Sequence, residues 1–345
     1  MIDLRKISYW ISLLVLVVLI LFSNAPALAA VTIGTISNPV AINNQNVGEA
    51  LEIAPPLVYL NANPGQTITT QIQVRDIAKG DLLVTGQADD FVAAGTNGNP
   101  KILFHDNAAS DPFSLKNWIA PLPGVVLKPE QINSITVTIN VPKNATPGGH
   151  YGLIRFSAVP PSLSGKNGVS LSASLGTLIL LTVSGHIKQK MSLTKFYSNN
   201  STGQPTSFFQ SDPLGVSETF KNDGNVAEQP QGQMTIKDMF GKTLVTMSIN
   251  PVNANVLPAS TRIFTQTINS IIIGNRTLFG RYSATLNVSY GNHQTLSSKL
   301  TFWVIPVVPI LILLVALVVG FFLLRWLIKR YNQHILDKAK KTESE

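Results

Sequence analysis

The sequence predicts an all-β chain: two immunoglobulin-like β-sandwiches in tandem, followed by one C-terminal transmembrane α-helix. Three observations carry this. Between residues 51 and 302, short runs of Val, Ile, Thr, Leu and Phe are separated by Gly, Pro, Asn and Asp, the pattern of brief strands joined by tight turns. Helical periodicity is almost absent over the same stretch. From Leu300 to Leu324, 25 residues then pass without a charge, enough to cross a bilayer. A length of 345 residues fits two domains of ordinary size.

The elements follow in chain order. Arg5 and Lys6 precede an apolar run, Ile7 to Phe22, and Ala27-Leu28-Ala29 supplies a small-x-small cleavage pattern, so residues 1–29 read as a signal peptide cut after Ala29. An uncleaved anchor is the alternative, and the run is shorter than the roughly 20 residues a span needs. Residues 30–50, rich in Asn and without periodicity, read as a flexible lead-in. A membrane-distal sandwich is expected over 51–185, a polar linker over 186–190 and a membrane-proximal sandwich over 191–302. The transmembrane helix is expected over 303–328 and a basic tail over 329–345.

Two strands alternate with period two: Ile68, Ile72 and Val74 face one way in Thr67 to Val74, and Ile135, Val137, Ile139 and Val141 do so in Ser134 to Val141. Each follows a proline turn. Asn63-Pro64-Gly65 suits type II, with Gly65 at the positive-φ position, and Lys128-Pro129-Glu130 suits type I. A Gly-x-Tyr phrase opens a late strand in each sandwich, Gly149-His150-Tyr151 and Gly280-Arg281-Tyr282. Tyr151 and Tyr282 are thus candidate corner residues, the alternative being ordinary strand tyrosines.

The residues 307 to 324 present no polar face, which argues for a span over a buried core helix. Trp303 and Trp326 lie at its ends, where indole favours the headgroup boundary. Arg325, Lys329, Arg330, Lys338, Lys340 and Lys341 follow the span and Lys299 alone closely precedes it. The reading is single-pass in a cytoplasmic membrane, with the N-terminal ectodomain extracellular, the C-terminus cytoplasmic and the bilayer contacted through 303–328. The formal charge of +8 divides into +1 before residue 30, +4 over 30–303 (18 cations, 14 anions) and +3 over 325–345 (6 against 3). So thin a spread over the ectodomain excludes a nucleic-acid footprint. Cysteine is absent, which removes thiol chemistry, cysteine-ligated zinc and disulfides, and points to a bacterial envelope.

Signals of catalysis are missing. The five His residues form no helical metal pair, and no nucleophile elbow, phosphate loop or dinucleotide fingerprint occurs. Asp89-Asp90 reads as a surface turn, because successive strand residues point to opposite faces and suit paired acid–base work poorly. No enzyme activity, cofactor or metal is expected. Trp118 is a candidate sugar-stacking residue, against the alternative that it plugs the core. Asn97 and Asn99, in the Gly95 to Pro100 loop, are candidate hydrogen-bonding residues for ligand, against the alternative of a plain hairpin. Other contents of the chain leave an interaction module as the leading function and an envelope hydrolase or transferase, its site built from distant loops, as the second.

The order of parts resembles the WxL-interacting proteins. The residues concerned are Asn61 to Thr67, Thr96 to Asn99, Val125 to Glu130, Val141-Pro142, Pro147 to Phe156 and Phe220-Lys221-Asn222-Asp223-Gly224-Asn225-Val226, with the single span and basic tail. The resemblance implies peptidoglycan or other wall glycan as partner of the first domain. It implies a ligand- or host-binding role for the second, and a surface protein partner, in complexes with secreted WxL-type proteins.

Overall fold

The computed structural model describes residues 51–104, 111–159, 161, 174–210, 214–269, 272 and 278–342, with side chains through 333. The expected signal peptide and lead-in lie outside the described residues.

The first sandwich packs a three-stranded sheet, β1 (Leu51–Ala54), β3 (Thr67–Asp76) and β7 (Ile132–Asn140), on a larger one. That sheet runs in the order β2 (Leu57–Ala62), β9 (Ser174–Val183), β8 (Gly148–Val159), β4 (Leu82–Ala94), β5 (Asn99–Leu103), with β6 (Val125–Leu127) on the far half of β4. The expected alternation holds: Ile72, Val74, Ile135, Val137, Ile139 and Val141 are buried in the core with Ile154, Phe156, Ile179 and Leu181. Gly65 takes φ +79°, as a type II turn requires. The second turn differs from expectation. Gln131 N–H donates to Lys128 O, and Glu130 takes φ +64°, so this turn is of type II hand with a non-glycine at the left-handed position. Arg75 pairs with that Glu130 and with Glu52.

The second sandwich repeats the plan. Its sheets are β10 (Met191–Asn199), β12 (Leu214–Asn222), β15 (Thr261–Ile268), and β11 (Phe208–Phe209), β17 (Gln294–Val304), β16 (Gly280–Tyr290), β13 (Gln231–Lys237), β14 (Thr243–Ser248). In each sandwich the chain leaves its first strand, crosses to the other sheet and pairs in parallel with the last strand, β2 on β9 and β11 on β17. The strands carrying Tyr151 and Tyr282, β8 and β16, hold equivalent places.

Those tyrosines nevertheless face opposite ways. Tyr282 points into the core, stacks on Phe302 at 5.8 Å, and its hydroxyl meets the Phe279 backbone, accepting from N–H (3.1 Å) and donating to O (3.3 Å). It is the corner residue expected. Tyr151 points outward over Gly149 and packs with Phe91 and Phe113. In a strand a one-residue difference in phase exchanges the faces, and here His150 takes the inward place.

Asp89 and Asp90 also depart from expectation: both are buried in strand β4 and form no surface turn. Asp90 accepts from Ser114 Oγ, Leu115 N and Lys116 N at 2.7–3.2 Å, holding the start of a 3-10 turn, Lys116–Trp118. Asp89, on the other face, pairs with Arg155 Nε at 2.9 Å. They did separate to opposite faces, as strand geometry demands.

Helix α1 runs from Val307 to Thr342, starting four residues later than the expected 303 because β17 continues to Val304, with Phe302 and Val304 in the core. The most apolar 18-residue window within Val307–Gln333 has a mean hydropathy of 3.2 and none of it is buried among the described residues, unlike a core helix. It is long and apolar enough to cross a membrane.

Candidate functional site

The site begins with how the two sandwiches meet. The large sheet of the first has an apolar patch on its outer face as well as an apolar inner face. Its outer face presents Phe91, Tyr151, Leu153 and Leu180, which are buried under Ala227 and Leu257 of the second sandwich. Such two-sided burial is why β8 reads as a nearly continuous buried run instead of an alternating one.

Asn225 fastens the junction. Its side chain donates to Pro147 O (3.0 Å) and His186 O (3.1 Å) and accepts from Lys188 N (2.7 Å). Its backbone accepts from Gly149 N (2.7 Å) and donates to Lys188 O (2.9 Å). Gly148, at φ +125°, is required by this approach, since a Cβ there would lie 2.6 Å from Asn225 O. Asn222, buried, supports the turn by donating to Val226 O and Val256 O and accepting from Gly224 N. Two sequence phrases, Pro147-Gly148-Gly149 and Asn222-Asp223-Gly224-Asn225, therefore meet in space. The polar segment 186–190 is held along its length, Gln189 accepting from Asn292 N and from Gln294 Nε2, and Lys190 O from Asp223 N.

Beside this junction opens a cleft of about 560 Å³. Tyr59, on edge strand β2, faces Gln229 and Asn255 across it, and the tip of the β16–β17 hairpin contributes Tyr290, Gly291 and His293. The Tyr59 hydroxyl accepts from Gln229 Nε2 and Asn255 Nδ2, both at 2.7 Å. His293 holds φ +63°, the left-handed backbone that shapes this turn. Glu228 is the one acid among the described lining residues, and no Lys or Arg is among them. Its Oε1 is buried without a hydrogen-bond partner among the described residues. Burial pushes the carboxyl up to about 7, and the Gly291 backbone beside it offsets this only in part. A perturbed carboxyl in a polar-lined cleft marks a candidate binding site. With one carboxyl, the lining lacks the paired acids of a glycoside hydrolase.

A second cavity of about 220 Å³ shares Asn255 with the first and is lined by Leu57, Phe91, Leu178 and Arg262. Here the structure places two expected ligand residues. Asn97 and Asn99 lie in one turn, Asn97 Oδ1 accepting from Asn99 N at 3.1 Å. The turn docks on the second sandwich: Thr96 O accepts from Ile263 N (2.8 Å), and Gly98 sits against the Arg262 guanidinium. Asn99 lines the smaller cavity. Trp118 is not brought to them. It is half-buried on the first core and lies 4.2 Å from the His150 ring, whose nitrogens face Ser114 O and Thr146 O. Sequence reasoning missed Tyr59, Glu228, Gln229 and Asn255, for which only the neighbouring Asn222 to Val226 phrase gave a signal.

The sequence matches no family model and no curated protein. Solved structures of similar fold include the class 5 fimbriae chaperone CfaA, at 18% identity over 72% of this chain and 98% of that one, TM-score 0.37. The E. coli chaperone DraB aligns at 13% identity over 73% and 98%, TM-score 0.32. The Acinetobacter baumannii CsuC–CsuE chaperone–tip adhesion subunit complex aligns at 12% over 72% and 97%, TM-score 0.33. These likenesses concern β-sandwich fold alone and carry no argument about ligands.

Proposed function

We propose that this chain is a non-enzymatic surface binding protein, tethered by α1 to a bacterial cytoplasmic membrane with both sandwiches outside, and that its interdomain cleft receives a wall glycan. The observation carrying this is the chemistry of the cleft: two tyrosine hydroxyls, one serine hydroxyl, three amides, one imidazole and one buried carboxyl, with no Lys or Arg among the described lining residues. That set suits an uncharged ligand rich in hydroxyl and acetamido groups, the makeup of a peptidoglycan strand, better than a phosphate or polyanion. The cleaved leader, extracellular ectodomain and cytoplasmic basic tail belong to the same reading, as does kinship to the WxL-interacting proteins.

The test is retention of the purified ectodomain, residues 30–303, on wall sacculi, with Glu228→Gln and Tyr59→Phe as cleft variants. Binding by the native protein that weakens in both variants supports the reading. Capture of a surface protein with no affinity for sacculi would replace glycan by protein partner, and release of sugar fragments from the sacculi would make the chain an enzyme.

A further inference from the structure

We propose that the end of the second sandwich from which α1 departs is itself a membrane-seating surface, with Phe208, Phe240, Phe279 and Trp303 in the lipid headgroup layer and Arg281 and Lys242 on anionic lipid phosphates. This rests on the membrane reading of α1.

Sheet register sets these residues at one level. Trp303 is the direct cross-strand neighbour of Arg281 on one side and of Phe208 on the other, so the three form a transverse row on the outer face. Their chain neighbours Phe209, Tyr282 and Phe302 point inward and are buried, so the row cannot turn into the core. Gly280, at the start of β16, pairs with Val304 at the end of β17, placing the Phe279 segment at the same margin. The β13–β14 turn reaches it too: Lys237 pairs with Ser283, and Met239 then lies over Gly280. Asp238 is the acid of that turn, and its Oδ1 accepts from Phe240 N and Lys242 N at 2.9 Å, which fixes the turn that carries Phe240.

Phe240 is 85% exposed, and Phe208, Phe279 and Trp303 are about half exposed. Single exposed apolar side chains are ordinary, but four aromatics and a methionine at one margin are not. What covers them follows from continuity with the helix. Ile305 N still donates to Phe209 O at 2.8 Å, and α1 begins two residues later at Val307. The sheet margin therefore cannot stand off from the surface that receives the helix. Aromatic rings paired with cations at such a level are the composition of a membrane interface, and Arg281, Lys242 and Lys237 are all exposed there.

Because the chain has no cysteine, single labels can be read cleanly. The full chain is reconstituted in nanodiscs of phosphatidylglycerol and phosphatidylethanolamine, carrying an environment-sensitive fluorophore at Phe240→Cys, Leu317→Cys or Asn292→Cys. The last is at the opposite end of the same sheet. Headgroup-level nitroxide lipids should quench the label at 240 at least twofold and leave that at 292 unchanged, with deep nitroxides quenching 317. Lipid quenching at 317 together with free quenching by aqueous iodide at 240 would overturn the seating while leaving the span intact. Shielding from iodide at 240 without lipid quenching would put protein there and overturn it as well. Absence of lipid quenching at 317 would remove both readings.

Discussion

The Tyr59 hydroxyl lies 2.7 Å from Asn255 Nδ2, joining residues 196 positions apart, and a second amide, Gln229 Nε2, meets it at the same distance. A phenol oxygen has two acceptor sites and one proton. Both acceptor sites are filled from the second sandwich, which leaves the proton free to be donated into the cleft. Tyr59→Phe should therefore lower affinity for a cleft ligand about tenfold while costing under about 1 kcal/mol of stability, since the ring is half exposed. Calorimetric titration with wall fragments beside a urea melt separates the two effects; unchanged affinity would remove Tyr59 from the site.

Glu228 should give binding a pH dependence. Its carboxyl sits near 7, so a ligand donating hydroxyl or amide hydrogens meets a better acceptor as pH rises through that value. Affinity is expected to increase from pH 6 to pH 8 in the native protein and to stay flat in Glu228→Gln. The same slope in both proteins would assign the titration elsewhere.

A different titration governs the second core. Glu218 on β12 is fully buried and its oxygens, like Gln266 Oε1, lack hydrogen-bond partners among the described residues. Burial raises its carboxyl to about 8, with Gln266 beside it offsetting this in part. An acid with its folded pKa above its unfolded value makes the native state bind more protons, so this contribution is fully present below about 4.5 and is lost as pH rises through about 8. Denaturation midpoints should fall over that window by the equivalent of a few kcal/mol, and Glu218→Gln should flatten the trend and gain stability at pH 8. A native profile that rises from pH 5 to pH 8 would sink the assignment.

Asn225→Ala removes three side-chain hydrogen bonds that tie the second sandwich to the first, at Pro147, and to the linker, at His186 and Lys188. At about 0.5–1.5 kcal/mol for each bond, the cost should be roughly 1.5–4.5 kcal/mol, felt at the junction and not in either core. Scanning calorimetry should resolve two transitions where the native ectodomain gives one, and the ectodomain should become more extended in solution scattering.

Trp118→Ala should destabilise the first sandwich by about 2 kcal/mol, less than for a fully buried ring, with cleft affinity unchanged. Loss of glycan binding at retained stability would instead restore the sugar-stacking reading of this residue.

Much of the fold was legible in the sequence because a strand with one wet face writes its orientation into alternate residues, as Ile68 to Val74 and Ile135 to Val141 do. Where a sheet is dry on both sides that code is silent. Tyr151 and Tyr282 follow the same Gly-x-Tyr phrase, yet only Tyr282 turns inward, because the outer face of β8 is covered by Ala227 and Leu257. Asp89 and Asp90 looked like a turn since their partners, Arg155 and Ser114, are 66 and 24 residues away. The cleft was illegible for a related reason: Tyr59, Gln229 and Asn255 are ordinary polar residues until the junction sets them side by side. Asn97 and Asn99 are legible as loop residues, but the sequence does not show that their neighbours Thr96 and Gly98 dock on Ile263 and Arg262 or that Asn99 lines the smaller cavity.

The β16–β17 hairpin has two ends with different surroundings. Tyr290 and His293 at its tip line the cleft, and its other end continues through Ile305 into α1. The hairpin is about 35 Å long at the usual rise of a strand. Tension between a captured ligand and an anchored helix would run along these strands, across hydrogen bonds perpendicular to the pull. Eleven paired positions would then share the load in shear, where a peeling geometry would break them one at a time. In this respect the hairpin is built as a tendon.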